Sequence, residues 1–80
     1  MLSAHMTVDT SGTRCPIPLL KAKQALKQLA QGQRVQVIST DPSSVDDFNA
    51  MLKHLPHQLI SSSTRTVDDQ RIFEFLIEKG

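Results

Sequence analysis

Two prolines separated by one residue, Pro16 and Pro18, stand at the head of a helical pattern and leave the chain few choices there. Proline is tolerated in the first turn of a helix, because the amide it lacks would have had no intrahelical partner. Leu19, Ala22, Leu26 and Leu29 follow at the spacing of one apolar stripe, and Lys21, Lys23, Gln24, Lys27 and Gln28 fall between them as a wet face. The pattern predicts a helix from about Pro16 to Ala30, ended by Gln31-Gly32. Cys15 is then near the N-cap, Pro16 at the first helical position and Pro18 at the third.

Cys15 is the only cysteine, and the positive end of a helix dipole favours thiolate over thiol. The effect is bounded. An exposed dipole contributes about 0.3–1 kcal/mol, against about 1.36 kcal/mol for a tenfold change in ionisation. Pro18 has no amide hydrogen, so the Ile17 N–H is the expected donor to the sulfur, with Leu19 next. Arg14, and Lys21 one turn on, add positive charge. Gly12 permits an unusual backbone angle just before the cysteine. The expected result is a moderately activated thiol.

The remaining segments fall into the same alternation. Met6-Thr7-Val8-Asp9 reads as a short strand, and Arg34 to Ser39 as a second, rich in β-branched residues. Asp41-Pro42-Ser43-Ser44 resembles the start of the first helix, with Ser44 and Asp47 in a capping-box pattern and Asp46 and Asp47 at the positive helix end. Val45, Phe48, Leu52 and Leu55 form its apolar stripe, which Pro56 stops. Gln58 to Thr66 is strand-like with a weak face pattern. A turn at Val67 to Gln70 leads into a clear strand from Arg71 to Glu78, with Phe73, Phe75 and Ile77 on one side. Right-handed crossovers put both helices on one face of a four-stranded mixed sheet, an α/β two-layer sandwich in the order βαβαββ. Gln36, Glu74, Glu78 and the serine run mark the other face as wet.

All 80 residues read as one domain, with residues 1–5 an unordered leader or a remnant of cloning. A net charge of +1 and the absence of Trp and Tyr argue against a dedicated nucleic-acid binder. Basic residues nevertheless concentrate in the first half, where Arg14, Lys21, Lys23, Lys27 and Arg34 face Asp9 alone. They either steer an acidic partner towards the thiol or simply form a solvated helix face. One cysteine suits a reducing compartment, no stretch suits a membrane span, and a cytoplasmic monomer is expected.

A lone thiolate at a helix tip can serve as nucleophile, metal ligand, redox sensor or sulfur carrier. Disulfide exchange lacks a resolving cysteine. His54-x-x-His57 has one turn's spacing, but Pro56 interrupts it, so neither a metal nor a cofactor is expected. A Cys15–His57 hydrolytic pair would have no further groups to build a substrate pocket. Sulfur carriage needs an exposed thiolate and a small body that docks on two partners in turn, and a second cysteine nearby would discharge the sulfur as sulfide. A docking module with an incidental cysteine and an oxidation-responsive thiol sensor remain open beside it.

Gly12-x-x-Cys15-Pro16-x-Pro18, preceded by Val8-Asp9 and followed by a Lys-rich amphipathic stretch ending at Gly32, resembles the TusA (SirA-like) sulfur-carrier family. Thr40-Asp41-Pro42 is similar to that family's Asp-Asp-Pro, His57 to its histidine before the third strand, and Phe75 to Gly80 to its closing strand. The resemblance implies that Cys15 accepts a persulfide sulfur, supported by Gly12, Arg14, Pro16, Ile17 and Pro18. It further implies a cysteine desulfurase or rhodanese-like donor, a downstream acceptor protein, and, in the best-known members, a relay towards tRNA thiolation. Lys21, Asp41 and Asp47 are the expected partner contacts. Thr13 stands where the family usually has leucine, Thr40 where it has the first aspartate, and Phe48-Asn49 where it has Ile-Pro. These departures lie where partners would dock.

Overall fold

A computed structural model describes residues 4–14 and 16–80, so Cys15 and residues 1–3 lie outside the described part. Six elements follow in the order β1 (Met6–Asp9), α1 (Ile17–Gln28), β2 (Arg34–Ser39), α2 (Ser44–Leu52), β3 (Gln58–Val67) and β4 (Gln70–Glu78). They form one four-stranded sheet with strand order β1-β2-β4-β3. β1 runs parallel to β2, and the other two pairings are antiparallel. The expected βαβαββ sandwich is therefore the fold.

Alternation along the strands decides what is buried. Val35, Val37 and Ser39 pair with Ile77, Phe75 and Phe73, and all six side chains are buried on the helix side. Ala22, Ala25, Leu26 and Leu29 come down from the first helix and its end, and Phe48 from the second. Phe48 stacks on Phe75 with ring centroids 4.5 Å apart, a geometry that adds to plain area burial. The opposite face is polar. Arg34 bonds Glu78 at 3.1 Å, while Gln36 and Arg65 both reach Glu74.

Both helices differ from expectation at their ends. Pro16, with φ −95° and ψ 13°, is the N-cap of α1, which puts Ile17 first and Pro18 second. The expected positions were each one residue too early. The Ile17 amide, the expected donor to the cysteine sulfur, donates to the Arg14 carbonyl at 2.9 Å, and the sulfur itself lies outside the described residues. At its other end α1 stops at Gln28, because Leu29 turns to an extended conformation that lets its side chain join the core.

The second helix has no capping box. Its N-cap is Ser43, held by Asp41, whose Oδ1 accepts from both the Ser43 amide and hydroxyl at 3.0 Å. Ser44 is instead buried, its hydroxyl 2.6 Å from that of Ser39, so the pair satisfies itself inside the core. Pro42 lies in the turn before the N-cap rather than at the first helical position. Leu55 falls beyond the helix, which ends at Leu52.

The weak face pattern of β3 also has a structural reason. It is an edge strand, exposed on both faces from Ser61 to Val67, with a register shift between Leu59 and Ser61. Its hairpin turns through Asp68 and Asp69, both at positive φ, a conformation that short polar side chains tolerate.

Candidate functional site: the loop and tip at the head of the first helix

Register sets the site. Pairing of Asp9 with Ile38 brings the ends of β1 and β2 together, so residues 10–14 and residues 40–43 leave the sheet side by side. Thr10 is buried and donates twice to the Ile38 carbonyl, from its amide at 2.8 Å and its hydroxyl at 2.5 Å. The Ser11 amide takes Asp9 Oδ1 at 2.9 Å. Hydrogen bonds from Ser11, the side-chain one largest, hold the Asp9 carboxyl below its ordinary value. Gly12, at φ +81°, donates to Thr40 Oγ1 at 2.9 Å. Thr13 folds back, its amide and hydroxyl both donating to the Thr10 carbonyl at 3.1 and 2.6 Å. Four consecutive amides, 10–13, are thus each committed, and the chain reaches Arg14 along a defined path.

The chemistry expected of Cys15 itself falls outside the described residues. Its neighbours are placed: Gly12, Arg14, Pro16 and Ile17 are exposed, and Pro18 is buried under the helix start. Ile17 and Leu20 keep 42% and 51% of their surface exposed, which makes the tip apolar as well as open. A groove of about 450 Å³ begins there, lined by Pro16, Leu19, Leu20 and Lys23 from one side and Asp47, Ala50, Met51 and His54 from the other. Asp47 is therefore brought to the cysteine end, whereas Lys21 is exposed but does not line the groove. Asp41 serves the start of α2 through Ser43. The apolar tip was readable, since Ile17 and Leu20 lie off the stripe defined by Leu19, Ala22, Leu26 and Leu29. The Thr10–Thr13–Thr40 network carried no local signal.

His57 is elsewhere. It lines a pocket of about 320 Å³ with Lys23, Leu26, Lys27, Leu55 and Lys79. Its Nδ1 accepts from the Gly80 amide at 3.1 Å. This is the C-terminal half of α1, a helix of 12 residues and so about 18 Å long. A Cys15–His57 catalytic pair has no support from this arrangement. His54 and His57 also line different pockets, and the described residues hold no cluster of three His, Cys, Asp or Glu side chains suited to a metal. No helix among them is long and apolar enough to cross a membrane.

Comparison with known proteins agrees with this architecture. The crystal structure of a SirA-like protein from Desulfitobacterium hafniense superposes with a TM-score of 0.68 at 29% identity, covering 90% of this chain and 95% of that one. The sulfur carrier protein TusA of Allochromatium vinosum is 42% identical over 80 residues, the full length of both chains. Residues 6–79, from the first residue of β1 to the residue after β4, match the family described as sulfurtransferase TusA. The chain belongs to the TusA family.

Proposed function

We propose that the protein carries sulfur in a relay, with Cys15 as the carrying residue. The Cys15 thiolate attacks the outer sulfur of a donor's persulfide. The donor's S–S bond breaks, its cysteine leaves as thiolate, and Cys15 becomes the persulfide. A thiolate of the acceptor then attacks that outer sulfur and restores Cys15. No net oxidation occurs, because one S–S bond forms as another breaks in each step. The observation that carries this reading is the 42% identity, over the full length of both chains, to the sulfur carrier protein of Allochromatium vinosum, joined to the Cys15-Pro16-Ile17-Pro18 motif holding the chain's one cysteine.

Suitable donors are cysteine desulfurases or rhodanese-like proteins, and the acceptor is a further protein, in a pathway such as tRNA thiolation. The carrier works as a cytoplasmic monomer, binding neither nucleic acid nor membrane. The exposed tip formed by Ile17 and Leu20, with Asp47 across the groove, is the surface offered to both partners; Arg14 and Lys21 complement acidic groups on them. Incubation with a desulfurase and cysteine is expected to add one sulfur atom to the intact mass, and Cys15→Ser to abolish the gain. An unchanged mass across a range of desulfurases and rhodaneses would sink the reading. Full cellular function of Cys15→Ser would favour a docking module instead.

A further inference from the structure

Of the four amides that fix the loop before Cys15, three find acceptors within the loop's own strand end or on the main chain of β2. Gly12 is the exception. Its acceptor is the hydroxyl oxygen of Thr40, 28 residues away, beyond the end of β2. Apart from Asp9, which ends the strand leading into the loop and accepts from Ser11, Thr40 is, among the described residues, the one side chain outside the loop that holds an amide of residues 10–14. Gly12 sits at φ +81°, where other residues are strained. The conformation that aims this amide at Thr40 is therefore built into the sequence. Thr40 is also neutral, at a position where the family resemblance leads one to expect an aspartate.

We infer that Thr40 is a positioning residue for sulfur transfer: its hydroxyl oxygen holds the Gly12 amide, and with it the path of the chain into Cys15. Because it is uncharged, it does so without placing a second carboxylate beside Asp41 at the loop that carries the thiolate. An aspartate could accept the same hydrogen bond, but its charge would oppose ionisation of a nearby thiol. The inference rests on the sulfur-carrier reading for its functional consequence. The tether itself does not.

Three variants separate the two effects. Thr40→Val keeps the shape and removes the acceptor. It is expected to expose the Gly12 amide to hydrogen exchange and lower the efficiency of sulfur transfer from a desulfurase by about three- to tenfold, the usual worth of one hydrogen bond. Thr40→Ser is expected to restore both. Thr40→Asp should keep Gly12 protected while moving the pH profile of Cys15 alkylation by iodoacetamide upward. Wild-type transfer by Thr40→Val, or an alkylation profile unmoved in Thr40→Asp, overturns the assignment. A wild-type protein that gains no sulfur would instead refute the carrier reading, while Gly12 exchange and the alkylation profile still test the tether.

Discussion

The two ends of α1 are held in opposite ways. At its head, the chain arrives through a loop tied by Thr10, Thr13 and Thr40, and then presents Ile17 and Leu20 to solvent. At its tail, the last residues of the chain are fastened across it. Lys79 exchanges main-chain bonds with Gly32 and Gln33 at 2.8 Å, and its ammonium reaches the Leu26 carbonyl at 2.6 Å. The Leu26 carbonyl also accepts from the Leu29 amide at 3.2 Å, so the cation is its second donor and complements the negative helix end. Gly80 lies so close to the Pro56 carbonyl that a Cβ would overlap it, and its amide is taken by His57. One end is fixed so that the other can be offered. The basic pocket at the tail adjoins this anchorage, and the groove at the head is the surface proposed above for exchange with partners.

The sharpest break of that division is at the head. Cys15→Ser is expected to reduce sulfur loading to background while leaving the unfolding free energy within about 0.5 kcal/mol of the parent, as measured by urea titration. A serine that unfolded the protein would mean that the cysteine is structural. The opposite pattern is expected at the tail. Lys79→Met retains most of the stem and removes the charged donor to Leu26, which should cost about 1–2 kcal/mol. Loading of the folded fraction should stay at the parent level. A loading defect there, with stability unchanged, would merge the two ends into one functional surface.

Leu20→Ser probes the head without touching the thiol. Half of that side chain is already exposed, so the stability change should fall within about 0.5 kcal/mol. An interface anchor commonly contributes more than about 1 kcal/mol to binding, which predicts a several-fold rise in KM for the donor. Unchanged transfer kinetics would leave the apolar tip without a role in docking.

Much of this division was legible in the sequence, but not its fastenings. The order of elements followed from periodicity: Phe73, Phe75 and Ile77 alternate, and Ala22, Leu26 and Leu29 recur at helical spacing, because burial on one face selects them. Helix ends were less legible. Pro16 can start a helix or cap one, and only the Ile17–Arg14 hydrogen bond decides between them. Ser44 looked like a cap because it precedes Asp47 by three residues. Its true partner, Ser39, lies on β2 and exists only once the strand is packed. Thr40 and Lys79 were harder still. Their partners are 28 and 53 residues away, and their meeting depends on strand register and on the last strand lying beside β2. Side chains that tie distant segments leave no local pattern.

The smallest effect concerns His57, at the tail. Burial first, and then the Lys79 charge, push its pKa below the ordinary histidine value of 6.5. The unfolded chain therefore binds the proton more readily than the folded one. Stability from this group is fully present above the unfolded pKa and is lost as pH falls through the folded one. The neutral ring is also what the structure needs. Nδ1 accepts from the Gly80 amide, and a protonated ring has no acceptor left. Between neutral pH and about pH 5, urea midpoints should therefore fall in the parent. In His57→Gln that part of the slope should disappear. Lys79→Met should shallow the slope without abolishing it, since burial, the larger cause, remains. NMR titration of the His57 ring reads the same coupling directly: its pKa should rise in Lys79→Met and stay below 6.5. A ring that titrates identically in both proteins would show that the Lys79 ammonium fastens the helix end through Leu26 without reaching His57, and would leave burial as the cause of the lowered pKa.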